Sequence, residues 1–426
     1  MKKMVGISDM ALFVPTPKID LSTVLAERAN EDPSFERRLR RAIESTNQVS
    51  MRFPHPWEDP VTMAAEATDQ LLRRGDAAGS ADRVRYLATG TESSVDMSKP
   101  ISAYLQGVLQ RAGVTLPKEI STFQVQHACA GGTIALAGVA ALLQAGDHPG
   151  DSGVVTCTDV ARYETPSTAE ITQGAGAVAM LVEQEPSLLE LDLSSIGLAS
   201  SDVDDFFRPL GSITARVKGR YSVDCYNEAL DAAFLDHCAR RAVDPAEALR
   251  STDLFVVHVP FHRMAVTGMT RLVERHLGES PDSAREFLEE RHFQDGIEAI
   301  RYFGNTYSAS AYVSLMYTLW ERFRAEGSEI VGKKILLASY GSGNTMTVIS
   351  ATIAEKAPDV IARWDLEQHL AAGVPADFST YREFVREETQ TLHHGPIADN
   401  GDVPAGRYYL AGIREDGYRL YERGGQ

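Results

Sequence analysis

Cysteine is scarce in this 426-residue chain. Its four copies, Cys129, Cys157, Cys225 and Cys238, form no C-x-x-C pair. That excludes a disulfide scaffold and paired-cysteine zinc spacing, and the four read as reduced thiols of a cytosolic protein. No uninterrupted apolar run of about 20 residues is present, so no membrane-spanning helix is expected. The first residues carry two lysines but meet Asp9 before any signal-length apolar region, which speaks against export. Positive charge is also in deficit: 42 Lys plus Arg stand against 59 Asp plus Glu, for a net charge of −17 and a pI near 5.1. Such a surface lacks the clustered cations that bind nucleic acid, and a phosphate-bearing ligand must find a local basic pocket. What is present is ordinary, 43% apolar and 24% charged residues. A soluble cytoplasmic enzyme is expected, of about two or three compact units or one large fold with internal duplication.

Strand-like and helix-like segments alternate along the chain. Met4–Val14, Val84–Thr89, Ser121–Gln126, Gly153–Thr158 and Ala175–Val182 read as strands. Ile101–Ala112 reads as a helix, Ile134–Ala145 as a helix apolar on every side and therefore buried, and Asp20–Ile43 as a charged helical stretch. The second part repeats the pattern: strand Leu254–Val259, helix Met264–His276, charged helical region Ser283–Arg301, helix Ala309–Phe323, and strands Lys334–Ser339 and Thr345–Ile353. This alternation predicts an α/β fold with a largely parallel sheet covered on both faces. The expected division is 1–185 and 186–426, two similar halves, with a more polar appended segment from about residue 358.

Cys129 lies between a strand and the buried helix, where free helix N–H groups favour a thiolate. Gly131 and Gly132 beside it permit close approach of a ligand or of backbone. The segment alone fits a nucleophile or a structural buried thiol equally well. His258 and His262 have an H-x-x-x-H spacing, but Pro260 between them prevents a regular helix from presenting both rings to a metal. A histidine at a strand end is instead a partner for a thiol or a carbonyl, or a satisfied core residue. Glu92 follows a strand in Gly90-Thr91-Glu92-Ser93-Ser94, where an apolar cleft would make it a stronger base and open solvent would not. Asn305 can cap the next helix or polarise a carbonyl, and Tyr340–Gly343 is either a plain tight turn or a source of N–H groups for an oxyanion.

In order along the chain, Thr89–Ser93, Ala128-Cys129 with Gly131-Gly132-Thr133, Gln173–Met180, Phe207-Arg208-Pro209, His258–Phe261, Gly304–Tyr307 and Ser339–Gly343 resemble the 3-hydroxy-3-methylglutaryl-CoA (HMG-CoA) synthase family of the thiolase superfamily. The resemblance covers most of the chain to about residue 355. It implies a thiolase-like αβαβα layered fold built from two similar halves, in a homodimer, with CoA thioesters as substrates and neither cofactor nor metal. Cys129 would be acetylated by acetyl-CoA, Glu92 would deprotonate the acetyl methyl, and the carbanion would attack acetoacetyl-CoA held by His258 with help from Asn305. Backbone N–H groups at Cys129 and Ser342, in the Gly341-Ser342 turn, would form the oxyanion hole. Ser308 lies where the family contacts substrate, and Arg263 is a candidate for the CoA phosphates. The implied setting is the mevalonate pathway of isoprenoid biosynthesis.

Two relatives share much of this pattern. Polyketide β-branching HMG synthases act on carrier-protein thioesters, whereas Ala161-Arg162-Tyr163 and the acidic surface point to CoA. Chain-initiating β-ketoacyl synthases are similar around Ala128–Gly131 but differ around the histidine. Ala130 stands where many relatives carry an aromatic residue, which implies a wider acyl pocket.

Overall fold

Ser152–Val160 and Ala175–Gln184 are almost continuously apolar or small, as strands covered on both faces must be. They lie inside a ten-stranded sheet in the computed structural model, which describes residues 3–74, 81–386 and 394–425. One five-stranded half runs Val5–Phe13, Ala175–Gln184, Ser152–Val160, Val84–Gly90, Ser121–Val125 in spatial order. The other joins Leu254–Val257, Lys334–Gly341 and Thr345–Ile353 to the short strands Leu189–Leu191 and Gly197–Ser200. Leu189–Leu191 is the seam, pairing with Gly6 and Ile7 on one side and with Ala351–Ile353 on the other.

Helices Pro60–Arg74 and Ile101–Arg111 cover one face of the first half. Helices Gly219–Arg241 and His262–Leu277 cover the outer face of the second. Between the halves lie Gly131–Ala145 and Ser310–Glu326, tied by the 2.7 Å hydrogen bond between Thr133 Oγ1 and the Tyr312 hydroxyl. The Gly131–Ala145 helix is apolar enough to cross a membrane by composition, and here its small side chains fill the space between two sheet faces. These are the five layers αβαβα.

The largely parallel sheet is not found. Val84–Gly90 pairs in parallel with both neighbours, as does Leu254–Val257 with Lys334–Gly341. The other pairings in this sheet are antiparallel. Residues 161–174 contain only a single 3-10 turn, so Ser152–Val160 returns beside itself without the crossover helix that a parallel neighbour requires. The charged stretches also divide. Asp20–Ile43 becomes Leu21–Glu31 and Pro33–Thr46, because Asp32 leaves helical geometry and caps the second helix at Ser34 N (2.9 Å) ahead of Pro33. Ser283–Arg301 becomes Pro281–Glu289, Phe293–Ile297 and Ile300–Phe303, interrupted at His292 with φ +53°.

Of the segment beyond 358, grouped with the second half from sequence, Val360, Ile361, Trp364 and Leu366 stay in the core around helix Ser310–Glu326. From Val374, which pairs with Pro17, the chain returns to the first half. Phe378, Tyr381 and Phe384 of one helix and Tyr408, Leu410, Ile413 and Tyr421 of a hairpin complete the first half's outer core. Arg407 pairs with Glu58 and Glu66 at 2.7 Å each, and Arg419 with Asp59 at 2.9 Å. Apolar side chains buried together with ion pairs at the rim explain why this polar-looking tail folds back.

Candidate active site

Two strand ends and a helix start meet where the halves face each other. After Val84–Gly90 the chain turns through Thr91, Glu92 and Ser93; after Ser121–Val125 it turns through residues 126–130 into the buried helix. Gly90 lets these turns touch: a Cβ there would lie 2.1 Å from Gly132 N. Ala128, at φ +43°, swings Cys129 to the Glu92 side. That left-handed conformation costs an L-residue roughly 1–2 kcal/mol. The result is a hydrogen bond from Cys129 Sγ to Glu92 Oε2 at 3.3 Å.

The thiolate expected at the helix start is not favoured. Burial pushes the Cys129 pKa well up, and the charges of Glu92 and Asp159 push the same way. Burial likewise raises Glu92 to about 8, opposed by Arg208 and reinforced by Asp159. The resting pair is therefore a thiol beside a carboxyl group whose proton affinity matches neutral to mildly alkaline pH.

Asp159, fully buried at the end of Ser152–Val160, fixes this geometry. Its Oδ1 accepts from Thr91 Oγ1, Glu92 N, Ser93 N and Ser93 Oγ at 2.6–3.0 Å, and its Oδ2 accepts from Ser308 N at 3.0 Å and from Ser308 Oγ. Burial pushes its pKa up and these donors pull it back. Ser308, expected to contact substrate, instead gives its hydroxyl to Asp159 and the Gly90 carbonyl. It ties the second half to the turn that carries Glu92. Sequence reasoning missed Asp159, whose only signal was a carboxylate closing an otherwise uncharged strand.

The second half adds its own groups. His258 follows Leu254–Val257 and extends the pairing, its N–H donating to the Ala338 carbonyl at 2.8 Å while its carbonyl accepts from Tyr226. Burial lowers its pKa to about 3, so the ring is neutral, and its Nδ1 has no partner among the described residues. His262 faces elsewhere, with Nδ1 at 3.2 Å from Asn47 Nδ2. Among the described residues no three His, Cys, Asp or Glu side chains converge as a metal site would require. Asn305 is buried and its Oδ1 accepts from Tyr307 N at 2.8 Å. Gly341 abuts the nucleophile turn: a Cβ there would lie 2.5 Å from the His127 carbonyl oxygen and 2.8 Å from Ala130 Cβ. This sets the Gly341-Ser342 backbone beside the sulfur's turn and leaves Ala130 fully buried against Gly341. Arg263 is exposed on the first turn of His262–Leu277, where with Arg301 it adds to the burial that depresses the His262 pKa.

A wall of rings that the sequence reading did not assign packs with Cys129: Tyr163, Phe206 and Tyr307, each pair edge-to-face with centroids 5.9–6.3 Å apart. Tyr307 holds φ +47°, a second strained residue beside the site. Arg162, beside Tyr163, points away and donates to the Phe384 carbonyl of the tail helix.

Residues 1–186 match the family model described as hydroxymethylglutaryl-coenzyme A synthase N terminal, and residues 279–424 match the corresponding C-terminal model. Hydroxymethylglutaryl-CoA synthase of Enterococcus faecalis is 31% identical over 340 residues, covering 80% of each chain. The polyketide biosynthesis 3-hydroxy-3-methylglutaryl-ACP synthase PksG of Bacillus subtilis is 26% identical over 377 residues, covering 86% of this chain and 84% of the relative. A solved structure, MvaS in complex with 3-hydroxy-3-methylglutaryl coenzyme A, superposes over 100% of both chains with a TM-score of 0.84 at 32% identity.

Proposed function

The chain belongs to the hydroxymethylglutaryl-CoA synthase family, and we propose that it condenses acetyl-CoA with acetoacetyl-CoA to HMG-CoA and free CoA through an acetyl-Cys129 intermediate. It is a condensing acyltransferase of the thiolase fold. The observation that carries the reading is the 3.3 Å contact between the buried thiol and Glu92 Oε2, beside the aromatic wall.

Attack on acetyl-CoA couples to loss of the thiol proton, because burial keeps the thiol from ionising alone. The proton passes from Sγ to Glu92 Oε2 and leaves on the CoA sulfur, so Glu92 ends ionised and Cys129 acetylated. Glu92 then takes a proton from the acetyl methyl, and the C–H electron pair forms the enolate. Backbone N–H groups at Cys129 and Ser342 stabilise that oxyanion, each worth about 3–4 kcal/mol in a preorganised site. The enolate carbon attacks the ketone carbon of acetoacetyl-CoA. Neutral His258, with Asn305, donates to the ketone oxygen, and the proton on Glu92 returns to the resulting alkoxide. Water cleaves the product from Cys129. A decarboxylating chain-initiating synthase has no need of a carboxylate against its sulfur, which favours the present reading over that one.

An anionic arm has a place to dock. Arg37, Arg38, Arg40 and Arg41 are exposed on helix Pro33–Thr46, whose end reaches His262 through Asn47, and Arg263 is exposed on the helix that His262 begins. These cations suit the CoA phosphates, and equally an acidic carrier protein as in the β-branching relatives. We propose a homodimer through Ser121–Val125. That terminal strand is half-exposed, whereas the opposite edge, Leu254–Val257, is buried. Four buried free thiols support a cytoplasmic setting, with the product entering mevalonate metabolism.

Intact-mass analysis tests the reading. Acetyl-CoA should add one acetyl group, absent in Cys129→Ser, and acetoacetyl-CoA should then discharge it as HMG-CoA. An unmodified wild-type protein overturns the proposal, and turnover only with carrier-bound thioesters selects the β-branching reading.

A further inference from the structure

Arg208 is part of the Phe207-Arg208-Pro209 motif and has no role in the mechanism above. It follows the ribbon strand Phe206–Phe207, which pairs with Arg216–Val217 over the site. Three residues earlier, buried Asp205 fastens this ribbon to the turn after Lys334–Gly341, accepting from the Tyr340 hydroxyl and Gly343 N at 2.9 Å each. Phe206 packs against Tyr163 and Tyr307. Arg208 thus leaves a fixed base and crosses to the first half. There it holds Glu92 at two points, with Nη2 on Oε1 at 2.9 Å and Nη1 on the backbone carbonyl at 3.0 Å. Its guanidinium lies 5.8 Å from the Tyr307 ring centroid.

We infer that Arg208 is a positioning residue of the condensation step: it pins Oε1 of Glu92 and leaves Oε2 as the one oxygen presented to the acyl group on Cys129. The inference rests on the proposed function. A carboxylate free to rotate would offer either oxygen at varying distance, whereas a two-point clamp on a planar fork fixes both its plane and its reach. When Oε2 takes the methyl proton, the C–H electron pair moves into the enolate and Arg208 transfers nothing. The clamp also biases ionisation. Cys129, Asp159, Tyr163 and Tyr307 face or adjoin Glu92 and none supplies positive charge, so among these groups Arg208 is the one cation that favours the carboxylate, beside the weaker help of the Cys129 hydrogen bond.

Two functions of Arg208 can be separated, guiding Glu92 or merely tying ribbon to core. Arg208→Met and Arg208→Lys in the full-length enzyme are compared with wild type by acetyl-adduct mass, by condensation rate against pH, and by thermal melting. Arg208→Met should still accept the acetyl group, while condensation at pH 7.5 falls about 100-fold and its alkaline-rising midpoint moves up by about one pH unit. Arg208→Lys, keeping one charge, should recover at least about tenfold of that loss. If the midpoint stays where wild type has it, with or without a lower melting temperature, Arg208 is a structural tie only. Should Arg208→Met not fold, the midpoint of Arg208→Lys decides by the same criterion. Absence of any adduct in wild type would instead sink the reading on which this inference rests.

Discussion

Oε2 of Glu92 lies 3.3 Å from Sγ of Cys129 across 37 residues of sequence, and it is the thiol's one hydrogen-bond partner among the described residues. One oxygen atom therefore stands where the thiol proton leaves and where the acetyl methyl must later lose its own. Glu92→Gln keeps the shape and removes the base. Condensation should fall about 10³-fold. Adduct formation should recover at higher pH, because the neighbouring carboxylate that raises the thiol pKa is gone. Stopped-flow CoA release beside HMG-CoA formation separates the two steps.

The pH dependence has a definite sign. Glu92 must be unprotonated to act as a base, and burial holds its pKa near 8. Condensation should thus rise tenfold per pH unit below about 8 and level off above it. A profile flat from pH 6 to 9 would count against Glu92 as the base.

Gly341→Ala puts a methyl group against the His127 carbonyl oxygen at 2.5 Å and against Ala130. Backbone on both sides leaves no flexible end to yield, so the nucleophile turn must shift. The expected cost is about 1–3 kcal/mol of stability and about 100-fold in turnover. Denaturant titration and steady-state assay measure these.

Asp159→Asn replaces an acceptor surrounded by donors with an amide that must direct its own N–H groups at one set of them. Loss of about 1–3 kcal/mol is expected, and activity should fall with it because either the Glu92–Ser93 turn or Ser308 loses its anchor. If urea midpoint and activity match wild type, the network is dispensable.

Tyr381→Phe tests the tail. Its hydroxyl accepts from Gln173 Nε2 at 2.8 Å and donates to Glu170 Oε1 at 3.1 Å, while Gln173 Oε1 accepts from Tyr163 N at 2.8 Å. Losing the hydroxyl strands buried polar atoms for about 1–3 kcal/mol. A chemical denaturation curve unchanged from wild type would refute the link.

Much of the site was legible because its residues sit in short motifs at strand ends. Cys129 before a glycine-led helix and Glu92 after a strand each fitted a structural reading as well, and it was the ordered motifs of the resemblance that singled them out; in the structure they meet. Asp159 was not singled out, since a polar residue closing a strand is commonplace and its donors come from two turns far away in sequence. Arg208 was visible in its motif but silent about its partner, 116 residues away. Ser308 was read as facing substrate, when its hydroxyl points into Asp159. The sheet's mixed direction did leave a trace, the helix-free connection over residues 161–174. So did the break at Asp32-Pro33, a proline at a helix start.

The route from Tyr381 through Gln173 to Tyr163 also constrains when the molecule becomes competent. Tyr381 shapes the wall beside a sulfur made about 250 residues earlier. A nascent chain that has not yet released Tyr381 from the ribosome therefore carries its nucleophile without the finished chamber, and reactivity toward thioesters should appear only once that helix has docked.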